Sequence, residues 1–439
     1  MITTVMIMVV ILIVPRVEAE LARRAGANRL IYGRRKTGKT YIVRNFLRPD
    51  VYAMVKRGGG VNMEGAPLPS VDSYQQFMDL LRSLLKDGKT VAVDEFQRLP
   101  QDFLDAVQAL DPQGNLILTG SSLRIVKDII SPRSPILGLF AEVRVSLINP
   151  VEIFNSLAKE TDPVTAFALS PYLRDPWAIQ YFKGAQTSVT DILALSREAI
   201  RALVGEVFLE EERTLTMVYE GILRSLAIGK WRLGEVADLL YSRRLIDRPG
   251  QNLIRPYFNS MEEMDLVLRV PVFGKNDHRY LIKSPLMELG FRLDERYNFF
   301  QQQIPGARLL EVFQQSMPFH IERFCGELFA HVYGGVYEYF YSRDFDIDFI
   351  VTAGGKVLAS GEVKWTSSPG PGDVDAFLQR TRHLPGDKIF FSRRPVGDGR
   401  VIALSPSNIA GWIKKRSRRS GRPAGQNGLP RRSKPESPV

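Results

Sequence analysis

The chain has 439 residues, 44% hydrophobic and 24% charged, with one cysteine (Cys325) and four histidines. That balance excludes a disordered or collagen-like chain and leaves room for about two to four folded domains. A lone cysteine excludes an internal disulfide, and His278, His320, His331 and His383 lack zinc-ligand spacing, so a reducing, cytoplasmic setting fits.

The run Met1 to Val14 is almost wholly apolar. It lacks a basic flank and a small-residue cleavage site, and it is too short to span a bilayer. It reads as a short buried strand or an over-extended start, with a membrane anchor as the alternative; stable membrane association is not expected.

The next apolar run, Leu30-Ile31-Tyr32, leads into Gly33-Arg34-Arg35-Lys36-Thr37-Gly38-Lys39-Thr40. This is the spacing G-x-x-x-x-G-K-[ST]. Glycines let consecutive N–H groups turn inward around a phosphate, and the following helix presents its positive end. In that geometry Lys39 reaches the β- and γ-phosphates of ATP, and the Thr40 hydroxyl binds Mg²⁺.

A helix is expected over about 39–47, a strand at Val51–Met54, and a helix within 71–86. The run Thr90-Val91-Ala92-Val93-Asp94-Glu95 then reads as a buried strand ending in two acids. Asp94 would stand beside Mg²⁺, and Glu95 would polarise the attacking water. Asn115-Leu116-Ile117-Leu118-Thr119-Gly120-Ser121-Ser122 is another buried-type strand, with Thr119 placed to sense the γ-phosphate. Helices near 101–110 and 122–130, and a strand over Ala141–Ile148, complete an α/β domain with a doubly wound parallel sheet over residues 15–160.

Residues 161–214 read as a helical lid. Over 215–300 the expected order is three helices (215–228, 232–243, 250–262) and a hairpin turning at Gly274-Lys275-Asn276-Asp277. That is a winged-helix plan, whose third helix is the DNA reader. Here that helix carries Arg255 but also Glu262 and Glu263, so DNA contact and a connector role both stay open.

A C-terminal α/β unit is expected over 310–412. Asp346-Ile347-Asp348-Phe349-Ile350 and Val357 to Lys364 read as hairpin partners. Period two puts Glu362 and Lys364 on one face. Asp348, Glu362 and Lys364 then form the PD-(D/E)xK nuclease constellation, with Asp348 and Glu362 as Mg²⁺ ligands and Lys364 orienting water. An upstream helix offers Glu322 and Glu327 as further ligands. The alternative is a surface ion pair on a hairpin. The net charge of +11 sits mostly in residues 413–439, whose nine Lys/Arg and one Glu carry +8, leaving +3 for the remainder. That segment reads as a disordered basic tail, either solubilising or adding salt-sensitive affinity for DNA.

Together these residues resemble the archaeal P-loop ATPase family, an AAA+-related group close to the initiator and STAND-type ATPases. The resemblance runs from Pro15 through Glu362-Val363-Lys364-Trp365. It rests on the phosphate loop, Asp94-Glu95-Phe96-Gln97, Thr119-Gly120-Ser121-Ser122, Tyr219-Glu220-Gly221-Ile222-Leu223 with Ala227-Ile228-Gly229, Ile321-Glu322-Arg323-Phe324 and Asp346-Ile347-Asp348. It implies Mg-ATP binding and hydrolysis, a winged helix and a C-terminal nuclease-like domain. The family's arginine after the glycine aligned with Gly138 is Leu139 here, leaving Arg124, Arg133 and Arg144 as candidate arginine fingers. A family glycine on the adenine side is Leu169. Two functions fit: an ATP-hydrolysing switch coupled to a DNA-binding or DNA-cleaving domain, or a slow or non-hydrolysing ATP-gated binding module. A homo-oligomer is left open.

Overall fold

The computed structural model describes residues 12–419 except 27, 111–112, 122–128, 130, 132–133, 135, 212 and 366–368. Its first sheet contains β1 (Arg29–Tyr32), β2 (Val51–Val55), β3 (Val61–Glu64), β4 (Ser70–Val71), β5 (Thr90–Asp94), β6 (Asn115–Gly120) and β7 (Ala141–Arg144). The spatial order is β4-β3-β2-β5-β6-β1-β7. From β2 to β7 the strands are parallel, whereas β3 and β4 add an antiparallel edge beyond the expected parallel sheet.

Alternation along the parallel strands explains how both faces are covered. Leu30, Val91, Val93, Leu116 and Leu118 face one core with Phe77 and Leu81 of the helix Tyr74–Lys86. Ile31, Ala92, Ile117 and Val143 face the other, against Ile42 and Val43. The helix expected over 39–47 is an α-turn, Lys39–Ile42, that widens into a π-turn, Val43–Leu47. The helix expected near 122–130 lies outside the described residues.

The chain then forms the helices Pro150–Leu157, Pro163–Leu173 and Val189–Glu210. Each starts where a capping side chain, Asn149, Asp162 or Ser188, accepts a backbone N–H. Three further helices, Met217–Ala227, Leu233–Ser242 and Gln251–Glu263, precede the hairpin of β8 (Val267–Pro271) and β9 (His278–Ile282). After Pro285–Tyr297 and the long helix Gly306–Tyr333 comes a second sheet. It holds β10 (Val336–Tyr341), β11 (Asp346–Ala353), β12 (Lys356–Lys364), β13 (Asp387–Ser392) and β14 (Ile402–Leu404), in that order.

The expected hairpin is therefore present, with Phe349 opposite Gly361. A Cβ at Gly361 would lie 1.9 Å from the Phe349 ring, so this close approach requires glycine.

One contiguous core runs from Leu12 to Ile413. Phe167 of the expected lid stacks 4.5 Å from Phe391 and 5.7 Å from Trp365, both in the C-terminal unit. The divisions expected at 214, 300 and 310 fall inside this shared core.

Two terminal expectations change. The helix Ile409–Arg419 continues into the expected tail, because Ile409, Trp412 and Ile413 form an apolar stripe against the C-terminal sheet. Arg416 lies 3.7 Å over the Tyr333 ring and pairs with Asp387 at 3.0 Å. Disorder from 413 is thus corrected for 413–419; residues 420–439 lie outside the described set. At the other end, Leu12 and Val14 are buried, in a segment without strand pairing. Among the described residues no helix is long and apolar enough to cross a membrane.

The first turn of Pro150–Leu157 carries a costly group. One carboxylate oxygen of Glu152 is buried without a hydrogen-bond partner. Burial, then the nearby Glu18 charge, pushes its pKa up from 4.5 to about 8. A raised carboxyl favours the fold while it is protonated. That contribution is complete below pH 4.5 and is lost as pH rises through about 8. Glu152→Gln should therefore stabilise the protein above pH 8 by about 1–3 kcal/mol and flatten its pH dependence, as read by urea denaturation at several pH values.

Candidate functional site

β6 separates β1 from β5, so the loops leaving all three carboxyl ends meet. The loop after β1 is Gly33–Thr40. Gly33 has φ 150°, and a Cβ there would lie 1.9 Å from the Val145 carbonyl oxygen. Gly38 and Lys36 also take positive φ, 90° and 64°, which curls the loop's backbone around a concavity. Lys39 Nζ donates to the Gly33 and Arg34 carbonyls at 2.9 and 3.1 Å. Thr37 Oγ1 donates to the Arg34 carbonyl, and Arg16 donates to that of Thr37.

The two acids at the end of β5 have different surroundings. Asp94 is buried and accepts hydrogen bonds from Thr40 (2.8 Å), Tyr52 and Thr119. Burial first, then the Asp94 charge, raises the Tyr52 phenol well above its ordinary pKa and keeps it a donor. Thr119 is opposite Asp94 in register, so its hydroxyl meets the carboxylate. Glu95 has φ 59°, a left-handed conformation costing about 1–3 kcal/mol for a non-glycine residue. Its Oε2 accepts from Gln97 (2.6 Å) and Ser121 (2.9 Å).

A cavity of about 640 Å³ opens between this loop, the acids and the segment Pro176–Tyr181. Arg35, Lys36, Gly38, Lys39, Thr40, Asp94 and Glu95 line its polar end. Leu12, Val14, Ile148, Pro176 and Trp177 line an apolar end. The buried Trp177 indole N–H has no hydrogen-bond partner. The donor set thus fits a magnesium nucleotide. A cation would meet the Thr40 hydroxyl and Asp94 carboxylate, phosphates would meet Lys39 and the loop, and a base would meet the apolar wall.

Not every expected nucleotide contact faces this cavity. The Arg34 side chain turns the other way, pairing with Asp175 at 2.9 Å, both fully buried. Arg35 does line the cavity and also pairs with Glu206 of Val189–Glu210 at 3.2 Å. Arg144, one candidate finger, pairs with Asp265 at 3.0 Å; Arg124 and Arg133 lie outside the described residues. Leu169 is buried in the large core. Trp177 escapes sequence reasoning because an isolated tryptophan after Asp175-Pro176 has no recognisable spacing.

The C-terminal unit brings Glu322, Asp348, Glu362 and Lys364 together. Asp348 Oδ2 accepts the Val363 N–H at 2.6 Å across the hairpin. Burial, then the Glu322 and Glu362 charges, pushes Asp348 well above the usual carboxylate range. Glu322 is raised to about 7 by burial and by the Asp346 and Glu362 charges, against the pull of Arg279 and Lys364. Glu362 Oε1 is held by Lys364 at 2.8 Å and by Arg380, from the helix Pro371–Thr381, at 2.9 Å. Arg380 carries no sequence signal. Among the described residues no three acidic, histidine or cysteine side chains are close enough to hold a metal ion.

Glu327 is corrected. It pairs with Arg174 (2.5 Å) and Arg323 (2.8 Å). Against the cost of burial, those two charges hold it down at about 2. A second buried polar group lies beside this one along the chain, at Asp175, next to Arg174. Asp175 binds both Arg34 and Ser284. Arg323, beside Glu322, donates to the Ile282 and Lys283 carbonyls at 2.7 Å.

A parallel sheet whose first strand ends in a phosphate loop, one strand removed from a strand ending in Asp-Glu, defines a P-loop ATPase-type α/β domain. Residues 27–135 match the AAA domain family. A Walker-type ATPase of Pyrococcus abyssi is similar at 18% identity, covering 63% of this chain and 93% of that one, with TM-score 0.46. The ORC2 protein of Aeropyrum pernix, in ADPNP–ADP complexes, gives 14% identity, coverage of 68% and 92%, and TM-score 0.37. The ORC1 protein of the same organism, in complex with DNA, gives 15%, 64% and 94%, and 0.31. No curated protein gives a match.

Proposed function

We propose that the protein is a Mg²⁺-dependent ATP-binding and hydrolysing switch whose state is passed to a C-terminal domain that binds or cleaves DNA. The observation that carries the reading is the cavity in which Lys39, Thr40, Asp94 and Glu95 face an apolar wall. In this reading Thr40 and Asp94 hold Mg²⁺, which when bound offsets phosphate charge. Lys39 leaves the Gly33 and Arg34 carbonyls for the β- and γ-phosphates. Glu95, released from Gln97 and Ser121, takes the proton of the attacking water. The buried Arg34–Asp175–Ser284 contacts support coupling, since a shift of the loop displaces Asp175 and the segment gripped by Arg323.

Glu95→Gln tests the hydrolytic half. It keeps the side chain's shape and removes the base, so ATP affinity should persist while turnover falls by about 100-fold or more. Turnover at the wild-type rate would remove Glu95 from this role.

Over 217–282 the order of helices and hairpin supports a winged helix, and in the C-terminal unit the strands β11 and β12 carrying Asp348, Glu362 and Lys364 support a nuclease-like domain. A second reading, DNA binding without cleavage, is favoured by the double hold of Lys364 and Arg380 on Glu362.

A further inference from the structure

We propose that a strip of aromatic and cationic side chains, running from the three-helix unit to Glu322, is a binding surface for single-stranded DNA. It deepens the DNA half of the proposed function and rests on it. The strip begins at a cavity of about 520 Å³ between the helices Leu233–Ser242 and Gln251–Glu263 and the hairpin. Arg232, Arg255 and Arg269 line it, facing Glu235, Asp238 and Asp277.

Arg232 also leads out of the cavity, lying 4.5 Å over the Trp231 ring and 4.7 Å over Tyr341. Lys275 lies 3.5 Å over Tyr341. Arg279 lies 4.4 Å over Tyr339 and 5.9 Å from the Phe319 ring, and its buried Nε has no hydrogen-bond partner. Phe319 is 54% exposed, one turn before Glu322 on the same face of Gly306–Tyr333. Among the described residues no carboxylate forms an ion pair with Arg255, Arg269, Lys275 or Arg279.

Cations interleaved with half-buried or exposed aromatic rings are what an unpaired strand requires. Phosphates meet the guanidinium and ammonium groups, and free base faces meet the rings. A duplex offers the phosphates but no free base faces, so Phe319 is idle against it.

A purely structural seam explains part of the cluster. Val272 bridges to Tyr339, and Lys275 donates to the Tyr341 carbonyl at 2.8 Å, which ties the hairpin to β10. That account leaves out the exposed Phe319 and the cavity-facing Arg255 and Arg269. These positions therefore separate the two explanations.

The test is fluorescence anisotropy of the full chain with labelled oligo-dT, a duplex of equal length and the matching RNA, each across a salt series. Phe319→Ala should weaken oligo-dT binding by about fivefold or more while leaving the melting temperature and duplex binding unchanged. Arg255→Gln should reduce the magnitude of the oligo-dT salt slope by about 0.7. Wild-type oligo-dT affinity in both variants, equal losses on strand and duplex, or tighter binding of RNA than DNA would overturn the proposal. ATP titrated in parallel keeps the readings apart: intact ATP binding with no oligo-dT binding sinks this inference and leaves the nucleotide site standing.

Discussion

Lys39→Ala lowers ATP affinity by about tenfold or more. Charge-assisted hydrogen bonds from the ammonium to phosphate oxygens contribute roughly 1.5–3 kcal/mol each, and about 1.4 kcal/mol already makes a tenfold change. Removing the side chain also frees the carbonyl of Gly33, which Lys39 Nζ holds at 2.9 Å, while that of Arg34 keeps the Thr37 hydroxyl. The loop should survive this, because Arg16 and Thr37 hold it from the other side. Calorimetric titration of folded mutant with Mg-ATP measures the effect. Unchanged affinity would place the nucleotide elsewhere and remove the basis of the switch reading.

The second large effect belongs to the C-terminal acids. If the domain cleaves DNA, Asp348→Ala and Lys364→Ala each abolish Mg²⁺-dependent cleavage while ATP affinity stays at the wild-type value. In that reading Asp348 would supply an oxygen donor to a hard cation, and Lys364, 2.8 Å from Glu362, would orient that carboxylate, which also pairs with Arg380. The nucleotide cavity is lined by none of these residues, which is why its affinity is expected to hold. A gel assay on single-stranded and duplex DNA, with and without ATP, separates the outcomes. Cleavage that survives both substitutions removes the assignment. Absence of wild-type cleavage with any divalent metal leaves the binding-only reading.

Much of this site was legible because its chemistry is local in sequence. Gly33 to Thr40, Asp94-Glu95 and Thr119 are short strings at strand ends, and a parallel sheet brings strand ends together by construction. The hairpin was legible for the same reason, since two strand-like runs close in sequence set Asp348 and Glu362 on neighbouring strands. Composition alone fails over 413–419. A few apolar residues at helical spacing outweigh the surrounding basic charge once a sheet face is there to cover.

By itself, then, the sequence determined the phosphate loop, the acids of β5, the parallel order of strands and helices, and the three-helix and hairpin plan over 217–282. Only the tertiary structure decided which way the remaining side chains point. Trp177 entered the nucleotide cavity, Arg380 reached Glu362, and Glu327 turned to Arg174 and Arg323 instead of the acidic site. It also fused the expected lid to the C-terminal sheet through Phe167, Trp365 and Phe391. These contacts join residues far apart along the chain, where no spacing rule applies. They are selected by burial, because a charge or indole taken out of water must find its partner wherever packing puts one.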